Sequence, residues 1–311
     1  TLSAPTLRVF KEIGIMDELE KHGGRFDSVD QYTAQGEFLR RIPMFPGIAS
    51  NDLPGGVGVM RTKLAEILAD KMKEYNVNVL LNTTIESLEQ TAENVDVTFS
   101  DGRKDTYDIV IGADGVRSQI RNLLYPNFQG STFTHQGVWR VVVPRFVDQC
   151  TIFFGNEIKT GFTPISKTEC YMFFNDHIEK EEYIAEERLT GLLADHLSEF
   201  DGEIPSIVKL IHEGKITAKD IIFRPLSYHM LEDEWHKNRI VLIGDAVHAA
   251  TPHLATGAGI AVEGALILSQ EIEKEQTIEE AFKNYRRRHY ARAKLVVDNS
   301  VQLGQYEINH E

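Results

Sequence analysis

Apolar and polar positions along the 311-residue chain alternate with two different periods. Helical spacing places Leu7, Phe10 and Ile13 on one face of residues 5–22, and Leu64, Ile67, Leu68 and Met72 on one face of a second helix. Pro5 suits the start of the first and Gly23-Gly24 its end, while Thr62 is the expected N-cap of the second. The apolar run 260–272 and residues 277–297 predict two further helices. Short apolar or alternating runs predict strands at 77–80, 95–99, 107–111 and 240–243, with a hairpin turn at Ser100-Asp101-Gly102. Residues 28–42 read as a strand pair around Gln35-Gly36, and 45–56 as a loop rich in Pro and Gly.

Between 129 and 222 the texture changes. The runs 138–143, 151–154 and 170–174 are β-branched and aromatic and are separated by turn residues, which predicts an antiparallel sheet; helices follow in 179–213. An aromatic sheet inserted between two α/β stretches is a natural roof for an apolar ligand pocket, although most of its aromatics must serve the core.

Length and composition then narrow the class. A chain of 311 residues is long enough for two domains, and 42% hydrophobic with 26% charged residues is ordinary for a globular protein. A net charge of −14 argues against nucleic acid or an anionic membrane as partner. No apolar run reaches the ~18 residues of a membrane span, and two cysteines fit a reducing, cytoplasmic setting. His248 and His253 lack companions with metal-ligand spacing, so no metal site is expected. The chain opens without Met on Thr1-Leu2-Ser3-Ala4-Pro5, so an upstream segment is expected.

Two strand-to-helix passages carry the candidate chemistry. In the first, 240–243 runs into Gly244-Asp245, a loop containing Pro252-His253, and then Gly257-Ala258-Gly259 at the entry to a helix. Glycines there let backbone N–H groups approach a planar or anionic ligand closely, and Asp245 at a strand end is placed to accept from ligand hydroxyls. In the second, 107–111 runs into Gly112-Ala113-Asp114-Gly115 ahead of a helix at 118–124. Either passage alone is equally an ordinary turn with Asp as a cap; together they suggest two walls of one crevice. Arg61, between a strand end and a helix start, could reach a phosphate bidentately, or be a plain surface arginine.

These three segments, Val59-Met60-Arg61-Thr62-Lys63-Leu64, Gly112 to Ser118, and Gly244 to His248 with Pro252-His253 and Gly257-Ala258-Gly259, resemble the class A FAD-dependent aromatic monooxygenases. The loop 251–259 looks most like the salicylate hydroxylase and 6-hydroxynicotinate 3-monooxygenase branch. The resemblance implies an α/β fold: a Rossmann-like FAD-binding domain (1–24, 57–130, 223–311), incomplete at its N-terminus, with an inserted antiparallel β-sheet substrate domain (25–56, 131–222). It implies that Asp245 holds the ribityl chain, that Gly257, Ala258 and Gly259 face the flavin N1/O2 edge, and that Pro252 lies beside the isoalloxazine. Asp114 and Gly115 would lie near the pyrophosphate, Gly244 in the turn before Asp245, and Arg61 on the phosphates or ribityl. His253, with His248 as a second candidate, would assist proton transfer or bind a carboxylate. The implied cycle takes a hydride from NADH or NADPH, adds O2 at flavin C4a, and passes oxygen from the resulting hydroperoxide to a small aromatic or N-heteroaromatic substrate, in a monomer or homodimer.

Two departures accompany the resemblance. The family's Gly-rich dinucleotide fingerprint, in a βαβ unit of ~30 residues, is expected upstream of Thr1. Glu263-Gly264-Ala265 carries Gly where relatives commonly have Asp, and Gly inside a helix costs roughly 1 kcal/mol relative to Ala. A hydroxylase of larger polycyclic substrates, of the tetracycline-inactivating type, and a flavin-free interaction protein are the alternatives.

Overall fold

The computed structural model describes residues 1–45, 52–155 and 158–309; part of the loop expected at 45–56 therefore lies outside the described residues. The chain divides into two compact units, Thr1–Tyr75 with His135–Leu226, and Asn76–Thr134 with Ser227–Glu311.

The first unit is built on an antiparallel-dominated sheet. Within it the strands neighbour one another in the order 221–226 (of Ile221–Met230), 135–144 (of Thr132–Pro144), Glu169–His177, Lys159–Pro164, Cys150–Phe154, Ser28–Thr33, Phe38–Pro43, with Cys150–Phe154 and Ser28–Thr33 the parallel pair. Period-two alternation puts Trp139, Val141, Phe162, Met172 and Phe174 on one face, where helices Glu186–Leu197 and Ile204–His212 cover them with Leu193, Leu197 and Ile207. Trp139 and Phe174 stack with centroids 5.5 Å apart, and both are fully buried. Both cysteines, Cys150 and Cys170, are free.

A smaller sheet of Leu2–Ser3, Gly56–Gly58 and Gly24–Phe26 belongs to the same unit. It tolerates no side chain where it meets the large sheet: a Cβ on Gly58 would lie 2.1 Å from the Pro164 carbonyl oxygen. This pairing draws residues 1–24 and 57–75 into the unit of the large sheet, whereas sequence resemblance attached them to the FAD-binding part; compactness and cofactor binding are separate criteria.

The second unit contains the parallel pair Val110–Gly112 and Ile240–Leu242, edged by His236–Lys237, and a three-stranded antiparallel sheet of Ile85–Gln90, Val95–Phe99 and Lys104–Tyr107. Helices Gly257–Lys274 and Ile278–Asn309 complete a core of Val95, Trp235, Val241, Leu242, Leu268, Phe282 and Tyr285. The all-apolar strand Ile240–Leu242 is buried throughout, as expected for a parallel strand covered on both faces.

Local expectations fail at several places for identifiable reasons. The first helix is two, Ala4–Glu12 and Met16–His22, because Gly14 takes φ +72° between them. Residues 77–80 form no strand; Val77 and Val79 are exposed and lack a neighbouring strand, and the strand lies instead at Ile85–Gln90, whose alternation is interrupted by a register shift between Ile85 and Ser87. Thr62 is inside its helix, which starts at Arg61 with Met60 as N-cap; only Ile67 of the expected apolar face is buried. No helix among the described residues is long and apolar enough to cross a membrane.

Candidate functional site

Register delivers the two Gly-Asp turns side by side. Leu242 stands opposite Gly112 in the parallel pair, and the Ile243 N–H donates to the Gly112 carbonyl at 3.0 Å, so Gly244-Asp245 and Ala113-Asp114-Gly115 leave adjacent strand ends. Gly244 and Gly115 both adopt positive φ, +59° and +80°. At Gly244 the requirement is also spatial, since a Cβ would sit 3.3 Å from the Ala261 Cβ; at Gly115 it would meet nothing within 4 Å.

The two aspartates differ in what their surroundings ask of them. Asp245 is exposed in the 3-10 turn Gly244–Ala246. Asp114 is also exposed, but its carboxylate accepts from the Ser118 hydroxyl and, at 3.0 Å, from the Ile120 N–H. Ser118 in turn accepts from the Arg121 N–H at 2.9 Å, capping helix Gln119–Leu124. Asp114 therefore holds the turn and the helix start together.

Arg121, which the sequence reading did not single out, ties the two loops. Its guanidinium is buried; Nη2 donates to the Val116 carbonyl at 2.9 Å and Nη1 to that of Ala246 at 3.1 Å, while the Phe128 ring lies 4.1 Å from its centre. Nη1 also meets His229 Nε2 at 3.2 Å. An arginine only donates, so Nε2 is the acceptor and Nδ1 carries the proton, donated to Ser131 Oγ at 2.8 Å. Burial, and then the Arg121 charge, push the His229 pKa down to about 4. The sequence signal for this arrangement was thin: one arginine seven residues beyond Asp114 in an amphipathic turn.

The 251–260 loop closes the same end of the unit. His253 is almost wholly shielded, its Nδ1 2.9 Å from Thr251 Oγ1 and its Nε2 3.4 Å from Glu307 Oε2, which is ion-pair range outside hydrogen-bond geometry. Pro252 starts the 3-10 turn Pro252–Leu254, and Ala255 follows with φ +51°. Helix Gly257–Lys274 then begins with no side-chain cap, and the buried Thr256 Oγ1 has no hydrogen-bond partner. The first N–H groups of a helix, here those of Gly257, Ala258 and Gly259, have no intrahelical acceptor, and their dipole favours negative charge. A Cβ at Gly257 would meet nothing within 4 Å. An uncapped, 18-residue helix presenting bare N–H groups beside an orphaned hydroxyl and open space fits the electron-rich edge of a flavin.

His248 is placed elsewhere. It is buried against Trp235 and His289, with ring centroids 5.7 and 5.3 Å away, and neither nitrogen has a partner. Burial and the neighbouring His289 lower its pKa to about 3. A neutral, shielded imidazole of this kind is a core residue rather than a proton carrier. Asp114, Gly115, Gly244, Asp245, Pro252, His253 and Gly257–Gly259 thus share the second unit. Arg61 belongs to the first, exposed at the start of helix Arg61–Glu74. No cluster of three metal-ligating side chains occurs among the described residues.

The fold and these turns define a flavoprotein class. The chain matches the FAD binding domain family over residues 1–300. It belongs to that family and, with its relatives, to the class A flavoprotein hydroxylases: it is an FAD-dependent monooxygenase. It is 27% identical to the putative FAD-dependent monooxygenase YetM of Bacillus subtilis over 301 residues, covering 96% of this chain and 80% of the relative. It is 30% identical to the 2-heptyl-3-hydroxy-4(1H)-quinolone synthase of Pseudomonas aeruginosa over 277 residues, 87% of this chain and 69% of the relative. The crystal structure of Klebsiella pneumoniae HpxO complexed with FAD and uric acid shares the fold at TM-score 0.87 and 20% identity, over 98% of this chain and 78% of that one.

Proposed function

We propose that this chain forms the flavin and substrate sites of a monooxygenase that consumes NADH or NADPH and O2 and hydroxylates an aromatic or N-heteroaromatic substrate. The uncapped start of helix Gly257–Lys274, beside the orphaned Thr256 hydroxyl, carries this reading. In it the N–H groups of Gly257, Ala258 and Gly259 hold the flavin's pyrimidine edge, and the exposed Asp245 carboxylate accepts from ribityl hydroxyls. Asp114 and Gly115 shape the turn facing the pyrophosphate, and Arg61 supplies a guanidinium to phosphate or ribityl oxygens. Pro252 lies along the ring. His253 keeps Nδ1 beside the Thr251 hydroxyl, while its Nε2, near Glu307 but without a hydrogen-bond partner, assists proton transfer or binds a substrate carboxylate. When bound, FAD supplies the redox chemistry, accepting a hydride from nicotinamide and delivering one oxygen atom of O2 to the substrate.

The aromatic class is supported by what relatives act on or bind: one is named for a quinolone product and another is seen with uric acid, both N-heteroaromatic bicycles. The test is to load the protein with FAD, record its visible spectrum, and follow NADH and NADPH consumption with aromatic acids, quinolones, purines and tetracyclines. Bound flavin absorbance with oxidation stimulated by a mono- or bicyclic aromatic is the expected result. Failure to bind FAD overturns the proposal, and stimulation by tetracyclines alone replaces its substrate class.

A further inference from the structure

Behind the Gly244-Asp245 turn of the second unit stands one buried tryptophan. The Trp235 carbonyl accepts from the Leu242 N–H at 2.8 Å, just ahead of the turn, and the Trp235 ring lies 5.7 Å from that of His248, just beyond it. The indole is fully shielded, and its Nε1 donates to the Leu231 carbonyl at 3.0 Å. Two tyrosines of helix Ile278–Asn309 flank it, Tyr285 with ring centroids 5.4 Å apart and Tyr290 at 5.9 Å. Both separations are contact distances for aromatic rings.

The two phenols differ in where a proton can go. Tyr290 is partly exposed and its hydroxyl donates to the exposed Glu232 carboxylate, whose other oxygen lies 3.7 Å from Lys294 Nζ. Tyr285 is fully buried, its hydroxyl has no hydrogen-bond partner, and burial pushes its pKa well up. A phenol that loses an electron becomes a strong acid and must pass its proton on; Tyr290 has a carboxylate in place to take it, and Tyr285 has none. The indole N–H of Trp235 faces a backbone carbonyl, which is no base, so an oxidised Trp235 keeps both its proton and its positive charge. An electron drawn from Trp235 is therefore replaced from Tyr290, at the surface, and not from Tyr285.

We infer that Trp235, Tyr290 and Glu232 form an electron path from the surface to the Gly244-Asp245 turn, and that it quenches one-electron oxidants of the oxygen-radical class formed at the flavin. The oxidant takes one electron from Trp235. The Trp235 cation radical takes one from Tyr290, whose phenol proton moves to Glu232 and on to solvent, and a thiol in solution then gives a hydrogen atom to the Tyr290 phenoxyl. The net change is an oxidant reduced by one electron, a thiol converted to a thiyl radical, and one proton released. The inference rests on the FAD- and O2-dependent reading above, and it assigns these residues no step of substrate hydroxylation.

The test loads the full chain with FAD, confirms loading by the visible spectrum, and uses the photoexcited flavin as the one-electron oxidant. Transient absorption and electron paramagnetic resonance of freeze-trapped samples follow the radicals. A tryptophan radical that decays into a tyrosyl radical is expected. Trp235→Phe should remove both signals, and Tyr290→Phe, a surface change that keeps the ring, should leave the first and remove the second. Glu232→Gln should slow the conversion about a hundredfold, the contribution of a positioned proton acceptor, with the thermal midpoint unchanged. Tyr285→Phe should alter neither signal. A tryptophan signal that survives Trp235→Phe, a tyrosyl signal that survives Tyr290→Phe, or an unchanged rate in Glu232→Gln would overturn the path and leave the flavin reading standing, as would a flavin-loaded protein that forms no tryptophan radical. A chain that takes up no FAD removes the flavin reading, and the path with it.

Discussion

Gly264 and His289 interlock across the two long helices of the second unit: a Cβ on Gly264 would lie 2.9 Å from His289 Nε2 and 3.1 Å from its Cδ2. His289 is wholly buried and packs on Trp235, Tyr285 and His248, so its ring has nowhere to retreat. Helix propensity favours Ala at this position and packing forbids it.

Gly264→Ala is therefore expected to destabilise the protein by up to about 2 kcal/mol, the overpacking cost of about 1–3 kcal/mol less the roughly 1 kcal/mol of propensity gained. Urea unfolding checks it. In a His289→Ala background the same substitution should be neutral or stabilising; equal losses in both backgrounds would show that the contact is not responsible.

His229 and His248 make stability fall in mild acid. Both are neutral when folded, with pKa values near 4 and 3, and both regain the ordinary value near 6.5 when unfolded. Below about pH 6.5 the unfolded chain binds protons that the folded chain refuses, so unfolding becomes easier as pH falls. Each contributes a slope of up to roughly 1.4 kcal/mol per pH unit until its folded pKa is reached. Unfolding free energies at pH 7.5, 6 and 5 measure this, and His248→Phe should flatten the acid limb; an unchanged slope would count against a neutral buried His248.

Arg121→Met removes both loop ties and leaves the Val116 and Ala246 carbonyls and His229 Nε2 without their donor. At about 1–3 kcal/mol per stranded buried acceptor, a loss of roughly 3 kcal/mol or more is expected, together with weaker flavin retention. Arg121→Lys should recover part of the stability, since an ammonium can serve one carbonyl but not the fork. Flavin-to-protein ratio after gel filtration and a chemical melt read the two effects separately.

Gly257→Asp separates helix stability from cofactor binding. A carboxylate at the start of an uncapped helix stabilises it by about 0.3–1 kcal/mol, and a side chain there meets no neighbour within 4 Å. The same carboxylate occupies the N–H groups proposed for the flavin. The expected outcome is an unchanged or raised thermal midpoint of the apoprotein with FAD affinity reduced at least about tenfold, the equivalent of 1.4 kcal/mol. Undiminished FAD affinity would remove this helix start from the proposed site.

The strand-to-turn passages at 240–245 and 107–115 were legible because their determinants are local: a buried apolar run, a glycine able to take positive φ, and an aspartate at the strand end. Boundaries set by weak or interrupted patterns were not. Ile85–Gln90 becomes a strand only by pairing with Val95–Phe99, and helix 5–22 breaks at a glycine that reads as tolerable in sequence.

By itself the sequence determined the family, the buried strands Val110–Gly112 and Ile240–Leu242 and the order of the Gly-Asp turns, because apolar periodicity and glycine placement act over a few residues. Tertiary structure decided which polar groups are already committed. It gave the Asp114 carboxylate to a helix cap, faced His253 with Glu307, buried His248 beside His289, and joined two loops through Arg121. Each of those pairings needs partners distant in the chain to meet within about 3–4 Å, and only packing fixes such distances.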